Sequence, residues 1–230
     1  MSDIPYSTIL ISGADAEEFL QGQLSADLKE LPDSGPVRAA WCNPKGRVIC
    51  MLALAKGITG FMLTLPTELA EHVVQRLTMF RFRSKVDFEL REAQANELLN
   101  WNSGDNFPEW RLEQLRAGLA EIYGAQSEQF TPHMLNLDLL GAVSLEKGCY
   151  TGQEIIARTH YRGASKRRLY RFVSGAPVSP GDKVSEGDRN VGEVVNAIGC
   201  DLLAVVPVAK ADSPLAVGSI NLAHVRLPHV

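Results

Sequence analysis

The pattern of hydrophobic and polar residues predicts short strands and amphipathic helices in the first half of the chain. YSTILIS, residues 6–12, is rich in β-branched and aromatic residues and predicts a strand. Residues 14–31 follow with apolar side chains at helical spacing, which predicts a single helix. The apolar face of that helix consists of Phe19, Leu20, Leu24 and Leu28.

Two β-hairpins are predicted next, because apolar runs flank strong turn signals. Residues 37–42 and 47–55 are the first pair of runs, and Asn43-Pro44-Lys45-Gly46 joins them. A second turn at residues 57–60 leads into another strand at residues 61–65.

A longer helix, a strand and a polar connection are predicted after these hairpins. Pro66 stands at a position that tolerates proline at a helix start. Residues 81–90 alternate as a strand does, and residues 91–108 are a polar linker. Helical spacing resumes at residues 110–124, where Gly124 is the expected stop. The apolar stripe of the first helix consists of Leu69, Val73, Leu77 and Phe80.

The character of the chain changes after residue 165. Short β-rich segments separated by Gly, Pro and Asp clusters predict a small antiparallel barrel or sandwich. The predicted fold class is therefore α+β, with a main domain at residues 1–165 and a β-barrel domain at residues 166–230. The β-rich segments are residues 166–175, 190–199, 201–209 and 218–227.

Composition and charge limit the class of protein. The 230 residues are 45% hydrophobic and 22% charged, as in ordinary soluble globular proteins. The net charge of −4 argues against wholesale nucleic-acid binding. No signal peptide and no membrane-spanning apolar run are recognised. The four cysteines form no C-x-x-C pair, which predicts reduced thiols in the cytoplasm, with Cys50 and Cys200 in the core.

One cysteine stands in a polar motif that carries possible chemistry. Cys149 lies in EKGCYTGQE, residues 146–154, directly ahead of a predicted helix at residues 153–161. Thr151 and Glu154 match a capping box, with Thr151 as the helix N-cap. Cys149 would then lie just outside a helix N-terminus, where the partial positive charge favours a thiolate.

The residue chemistry of this motif supports two interpretations equally. In one, Lys147 and nearby arginines help to activate the thiol of Cys149. In the other, Gly148 and Gly152 define a turn and Cys149 packs beneath it. A cysteine–histidine nucleophile with His160 would require the chain to fold back on itself, and we give it little weight.

Other catalytic motifs are absent from the sequence. It contains no dinucleotide-binding, phosphate-loop or nucleophile-elbow motif, so the residues alone assign no enzyme class. The five histidines are scattered, and no metal site is predicted from their spacing. The densest basic segment is either a solvated face or a weak contact for RNA phosphates. It consists of Arg158, Arg162, Lys166, Arg167, Arg168 and Arg171.

Several stretches together resemble the folate-binding YgfZ family, relatives of the aminomethyltransferase (T-protein) of the glycine cleavage system. The octapeptide KGCYTGQE at residues 147–154 is the most specific match. It is supported by residues 19–28, 43–48 and 130–148, so that the resemblance covers nearly the whole chain. The resemblance implies a ferredoxin-like, aminomethyltransferase-type body around a folate cavity, followed by a C-terminal β-barrel.

The resemblance also implies a function. Members of this family bind tetrahydrofolate and support iron–sulfur enzymes, including those that thiolate tRNA. Cys149 would be the essential cysteine, with its motif neighbours Lys147, Tyr150, Gln153 and Glu154 as the other catalytic residues. Folate contacts would come from Trp110, Tyr6 and Arg158, of which Tyr6 replaces a tryptophan found in some members.

Two departures from the family pattern bear on these expectations. The transferase branch carries an acidic residue on the strand after its glycine pair, where this chain has Ile49 and Cys50. Without that carboxylate, aminomethyl transfer has no evident general acid or base, so we rank it as the alternative function. Longer members also carry more chain around residues 91–107, which implies that part of the folate cavity wall is missing here, so that folate binds weakly or another subunit completes the pocket.

Overall fold

The computed structural model describes residues 4–102, 106–163 and 165–230, and these form two compact units that are interleaved along the chain. The first unit contains the described part of residues 1–105, together with residues 122–129 and 141–155. The second contains residues 106–121 and 130–140 and the described part of residues 156–230. The sequence boundary at residue 165 stays a prediction about separate domains.

An antiparallel five-stranded sheet is the centre of the first unit. Its strands follow the order β2-β3-β4-β1-β5, and Ile9 of the interior strand β1 lies opposite Leu63 on one side and Leu90 on the other. The strands confirm the predicted hairpins and the strand at residues 6–12. They are β1 (Tyr6–Ser12), β2 (Val37–Cys42), β3 (Val48–Lys56), β4 (Gly60–Pro66) and β5 (Asp87–Glu92).

Two helices complete the first unit. Helix α1 spans Ala16–Gln21 and helix α2 spans Thr67–Phe80, which confirms the helix expected after Pro66. The α2 stripe is buried at Leu69, Val73 and Leu77, within the apolar cluster that also contains Ile9. Burial of this stripe fixes α2 because apolar area leaves water.

The single helix predicted over residues 14–31 is wrong beyond Gln21. The side chain of Gln21 accepts a hydrogen bond from the Leu28 backbone and donates one to Asp27, which closes a loop instead of a helical turn. Leu24 forms a β-bridge with Trp41. The apolar residues of the predicted face are still buried, so the hydrophobic pattern identified core positions but not the backbone between them.

A closed six-stranded antiparallel barrel dominates the second unit. Its strand order is β10-β11-β6-β9-β8-β7, and its apolar interior includes Phe172, Leu202 and Val206. The barrel confirms the fold class and all four predicted β-rich segments, to which the structure adds two short strands, β7 and β10. The strands are β6 (Arg167–Ser174), β7 (Lys183–Glu186), β8 (Arg189–Ile198), β9 (Asp201–Pro207), β10 (Leu215–Val217) and β11 (Ile220–Val225).

Helix α3 spans Phe107–Arg116 and ends earlier than predicted. The stop is Gly118, whose φ of +78° lies in the left-handed region that favours glycine, and a Cβ placed there would lie 2.7 Å from the end of the Leu227 side chain. Helix α4 spans Gln153–Arg162, as predicted. Among the described residues no helix is both long and apolar enough to cross a membrane.

Candidate functional site: an anchored loop that exposes a thiol

The motif around Cys149 forms a loop, residues 144–152, that we call the signature loop. Cys149 is exposed, whereas its neighbour Tyr150 is buried. The loop begins where the Ser144 backbone N–H donates to the Ser25 carbonyl at 2.8 Å. Near its other end, the Thr151 N–H donates to the Gly22 carbonyl at 3.2 Å. A solvent-facing thiol is therefore held on a backbone fixed at both ends.

Lys147 is the main internal anchor of the signature loop. It is 7% exposed, and its Nζ donates to the carbonyls of Leu24 at 2.9 Å and Ala26 at 2.7 Å. The ammonium also lies 5.1 Å from the centre of the Tyr150 ring, within cation–π range. Burial lowers the pKa of Lys147 to about 8, against the opposing charge of Asp27. The charged ammonium of Lys147 therefore serves to anchor the loop.

A glycine–glycine contact sets the far end of the loop against the turn before β3. Gly152 has φ +84°, and a Cβ there would lie 2.5 Å from the Asn43 carbonyl oxygen. Gly46 in the facing turn has φ +66°, and its Cβ would meet Ile155 at 3.1 Å. Asn43 shapes that turn by accepting from the Lys45 and Arg47 backbone N–H groups.

The predicted cap of α4 is wrong. The helix begins at Gln153, which places Gly152 rather than Thr151 at the position before it. The Thr151 hydroxyl instead donates to Gln23 Oε1 at 3.4 Å. Gln153 reaches back through Nε2 to the Lys147 carbonyl at 3.2 Å. Gln153 thus joins the start of the helix to the loop. Thr151 instead connects the loop to Gln23 of the first unit.

The four cysteines differ in what their thiols can reach. Cys42 and Cys50 are buried, and burial raises the pKa of Cys42 to about 12. Cys200 was expected in the core, but it is exposed because it lies in the turn between β8 and β9. Cys149 and Cys200 are therefore the two thiols open to solvent, and Cys149 is the one carried by the anchored loop.

The expected catalytic residues meet in one place. Lys147, Tyr150 and Gln153 contact one another around the signature loop that carries Cys149. Glu154 lies exposed in the first turn of α4. The roles assigned to these residues stay predictions, while the geometry gives Lys147 and Gln153 anchoring contacts.

The expected folate contacts lie on three different elements, and their role stays a prediction. Tyr6, in β1, is 4% exposed, and Trp110, in α3, is 2% exposed. The Trp110 ring stacks on Phe107 with a centroid distance of 5.6 Å. Arg158 is exposed on α4. Ile49 and Cys50, which stand where the transferase branch has an acid, are buried apolar positions of β3.

The structure divides the basic segment into two groups. Arg158, Arg162 and Lys166 are exposed, whereas the other three side chains bond within the second unit. Arg168 forms a two-armed pair with Asp138 at 3.0 and 2.8 Å. The Asp138 carboxyl is buried, which opposes ionisation, but the hydrogen bonds and charge of Arg168 lower its pKa overall. The remaining bonds join Arg171 to Asp201 and Arg167 to the Val191 carbonyl.

Comparison with known structures defines the class of fold to which this arrangement belongs. A crystal structure of glycine cleavage system aminomethyltransferase T from Bartonella henselae matches with a TM-score of 0.73 and 18% identity, over 98% of this chain and 84% of that chain. Residues 166–230 also match the model of the C-terminal β-barrel domain of CAF17. The fold is therefore that of the aminomethyltransferases, with a CAF17-type barrel.

Sequence relatives narrow the class to a family. A protein of Haemophilus influenzae that carries the name "Uncharacterized protein" is 30% identical over 197 residues, 73% of this chain and 70% of its own. The tRNA-modifying protein YgfZ of Escherichia coli O157:H7 is 29% identical over 82% of this chain and 77% of its own. YgfZ of an Enterobacter species is 29% identical over 83% and 78%. The chain belongs to the YgfZ family.

Sequence reasoning missed the partners of the signature loop. Ser25 accepts from Ala40 N–H and donates to the Ala142 carbonyl, so one buried hydroxyl joins β2 to the approach of the loop. The sequence signals Asn43 only as part of a turn, yet its Nδ2 also donates to Glu128 at 2.6 Å. The Asn-Pro-Lys-Gly spacing signalled the turn, but nothing in it signalled a partner 85 residues away.

Proposed function

We propose that this protein is an accessory protein for tRNA modification that works through the thiol of Cys149. The observation that carries the proposal is an exposed cysteine on a loop whose neighbours are fixed by buried hydrogen bonds. Thiols that only fill space are buried, as Cys42 and Cys50 are. A rigid, solvent-facing thiol can instead reach a partner or a substrate.

The test compares the two exposed cysteines. Cys149→Ser and Cys200→Ser are expressed in a bacterial strain that lacks its own YgfZ, and modified nucleosides of its tRNA are measured by mass spectrometry. We expect Cys149→Ser to restore no modification and Cys200→Ser to restore it fully. The free energy of unfolding of both variants should lie within about 0.5 kcal/mol of the parent value, because both side chains lie at the surface. Full restoration by a folded Cys149→Ser would contradict the proposal.

The family resemblance leads us further, to iron–sulfur enzymes as partners and tetrahydrofolate as the ligand. Iron–sulfur enzymes such as those that thiolate tRNA carry clusters on cysteine thiolates, and an accessible thiol is suited to contact such a cluster. The proposed role of Cys149 is in assembly or repair of these clusters. Tetrahydrofolate binding is supported by the aminomethyltransferase-type fold.

The residues of α3 fit a pterin ring in part. Gln114 Oε1 is buried and has no hydrogen-bond partner among the described residues, and it lies one turn after Trp110. A buried carbonyl oxygen of this kind is an acceptor for a pterin N–H. The Trp110 ring is covered, however, so a pterin reaches it only if Phe107 or its helix moves. Bound folate would supply a carrier for one-carbon groups. Gln114 would be the residue of this chain that forms a hydrogen bond with its pterin ring.

Folate binding is tested by titrating tetrahydrofolate into the purified protein and recording tryptophan fluorescence. We expect saturable quenching that Gln114→Leu weakens about 10-fold, the effect of one lost hydrogen bond. Trp41→Phe, which changes a tryptophan of the first unit, is the matched control and should leave the affinity unchanged. Absence of saturable quenching in the parent protein would contradict the ligand and leave the thiol proposal standing.

The residues of β3 at positions 49 and 50 argue against the alternative function, aminomethyl transfer. Ile49 and Cys50 are 1% and 0% exposed and carry no carboxylate, so these two positions lack the general acid or base that the transferase branch uses for cleavage of a C–N bond. The proposed role is therefore in binding and thiol chemistry.

A further inference from the structure

Three potential metal ligands that are far apart in sequence meet in the second unit. His133 lies in a 3-10 turn, Pro132–Leu135, Asp138 follows that turn, and His160 lies in the last turn of α4. One ligand atom from each lies within 4.8 Å of the other two. The two imidazole rings have a centroid distance of 6.0 Å.

His133 gives an independent sign that a ligand belongs at this place. Its side chain is 2% exposed, and neither Nδ1 nor Nε2 has a hydrogen-bond partner among the described residues. A buried imidazole nitrogen without a partner costs about 1–3 kcal/mol, and such groups in folded proteins usually have an ion or a water as their partner. The ring therefore requires a further group close to Asp138 and His160.

Arg168 fixes the carboxylate of this cluster. It holds both oxygens of Asp138, and its NH1 also lies 3.3 Å from the His133 carbonyl and from Asn136 Oδ1. One guanidinium thus fixes the segment that carries two of the three ligands. Each carboxylate oxygen keeps a second lone pair after accepting from arginine, and hydrogen-bonded carboxylates are common among metal ligands.

We propose that His133, Asp138 and His160 form a binding site for Zn²⁺ with one open coordination position. Two imidazoles and one carboxylate are a ligand set of zinc sites that keep a place for water. His160 is exposed, so an ion has a route from solvent to the site. Imidazole ligands favour Zn²⁺ over Mg²⁺, which prefers an all-oxygen octahedron.

The observed spacing is compatible with this ion after a small adjustment. Ligand atoms around a tetrahedral zinc with bonds of about 2.1 Å are about 3.4 Å apart. From separations within 4.8 Å, the side chains close by roughly 1.4 Å at most. His160 is the ligand with the most freedom to make this adjustment, because it is at the surface and near the end of its helix.

The experiment measures metal binding by the 230-residue chain after removal of metal with a chelator. Zn²⁺ is titrated by calorimetry, and Co²⁺ is titrated as a spectroscopic probe of a four-coordinate site. We expect one Zn²⁺ per chain, a visible Co²⁺ band without thiolate charge transfer, and much weaker binding of Mg²⁺. His160→Ala should weaken Zn²⁺ binding about 100-fold or more, since even loss of an outer partner costs 10- to 100-fold.

The controls separate this site from chance binding and from misfolding. His72→Ala removes another exposed histidine and should bind Zn²⁺ as the parent does. His133→Gln, which is buried, is read only after its melting curve shows a cooperative fold. Equal Zn²⁺ affinity in the parent and His160→Ala, or a thiolate band in the Co²⁺ spectrum, would overturn the proposal. Binding that is lost in His160→Ala but kept in His72→Ala would support it.

Discussion

At the scale of single residues, two glycines of the signature loop differ in what a methyl group would meet. Gly152 has φ +84°, and a Cβ there would lie 2.5 Å from a backbone carbonyl oxygen. Gly148 has an ordinary φ, and its Cβ would have nothing within 4 Å. The fold therefore requires glycine at position 152, whereas the packing around position 148 leaves room for a larger residue.

We predict that Gly152→Ala destabilises the protein by about 3 kcal/mol, because left-handed strain and steric overlap add. The free energy of unfolding of Gly148→Ala should lie within about 0.5 kcal/mol of the parent value, because substitutions at open surface positions change stability little. Urea unfolding followed by circular dichroism measures both. A Gly152→Ala variant as stable as Gly148→Ala would show that the contact with Asn43 can relax.

The buried ammonium of Lys147 gives a second residue-scale prediction. Its pKa is lowered from 10.5 to about 8, so between these values the unfolded chain binds a proton that the folded chain has released. The free energy of unfolding should therefore rise with pH across this window, by up to about 3 kcal/mol.

The measurement is the difference in unfolding free energy between the parent and Lys147→Met as pH is raised. Subtraction removes the titration of other groups. We expect the variant to lose stability at neutral pH, because two buried carbonyls lose their donor, and to lack this rise with pH. Parallel curves for the two proteins would contradict the lowered pKa.

At the scale of elements, Asp201 joins helix α3 to strand β6. It accepts from Arg116 of α3 at 2.9 Å and from Arg171 of β6 at 2.6 Å. Burial opposes ionisation, but the two arginines lower the pKa of Asp201 below its ordinary 3.8. The carboxylate thus stabilises the folded state above pH 3.8, and this contribution is lost as pH falls through the lowered folded-state pKa.

We predict that Asp201→Asn lowers the free energy of unfolding by about 2 kcal/mol at neutral pH, since hydrogen bonds to charged groups are lost. The difference from the parent should shrink at acid pH, as the parent carboxylate becomes protonated. Asp188→Asn, an exposed aspartate of the β7–β8 turn, is the matched control. A constant difference at all pH values would assign the loss to packing.

The sequence predicted the elements that depend on local signals. The hairpin of β2 and β3 was found because Asn43-Pro44-Lys45-Gly46 is a turn in its own right. The prediction of a single helix over residues 14–31 was wrong because the Gln21 side chain forms hydrogen bonds with Asp27 and Leu28. Such bonds compete with the helical backbone, and the spacing of apolar residues carries no information about them.

The candidate site shows the same limit. Cys149 was identifiable from its motif, but its exposure was not, because exposure depends on the whole fold. The role of Lys147 was hidden because its acceptor Leu24 is 123 residues away. His133 and His160 are 27 residues apart in the sequence, and folding alone brings them together.

At the scale of the whole molecule, the barrel depends on chain that precedes it. Residues 106–121 and 130–140 belong to the same compact unit as the barrel strands. Asn136 donates to the Leu169 carbonyl at 2.8 Å, and Asn196 bonds both backbone groups of Glu121 at 2.9 Å. The barrel strands alone lack these partners.

We predict that the fragment of residues 166–230 unfolds at a lower temperature than the same strands in the full chain, because buried partners such as Asn136 and Asp138 are missing. Addition of a peptide of residues 130–140 should raise its melting temperature. Scanning calorimetry of the fragment, with and without the peptide, makes the comparison. A fragment as stable as the full chain would support the predicted domain boundary at residue 165.

The interleaving of the two units has a consequence for synthesis on the ribosome. The first unit is not complete until residues 141–155 have emerged, and these residues carry the signature loop. A nascent chain that stops before Lys147 leaves the carbonyls of Leu24 and Ala26 without their donor. We therefore expect truncated products to be less stable and more open to proteases than the finished chain.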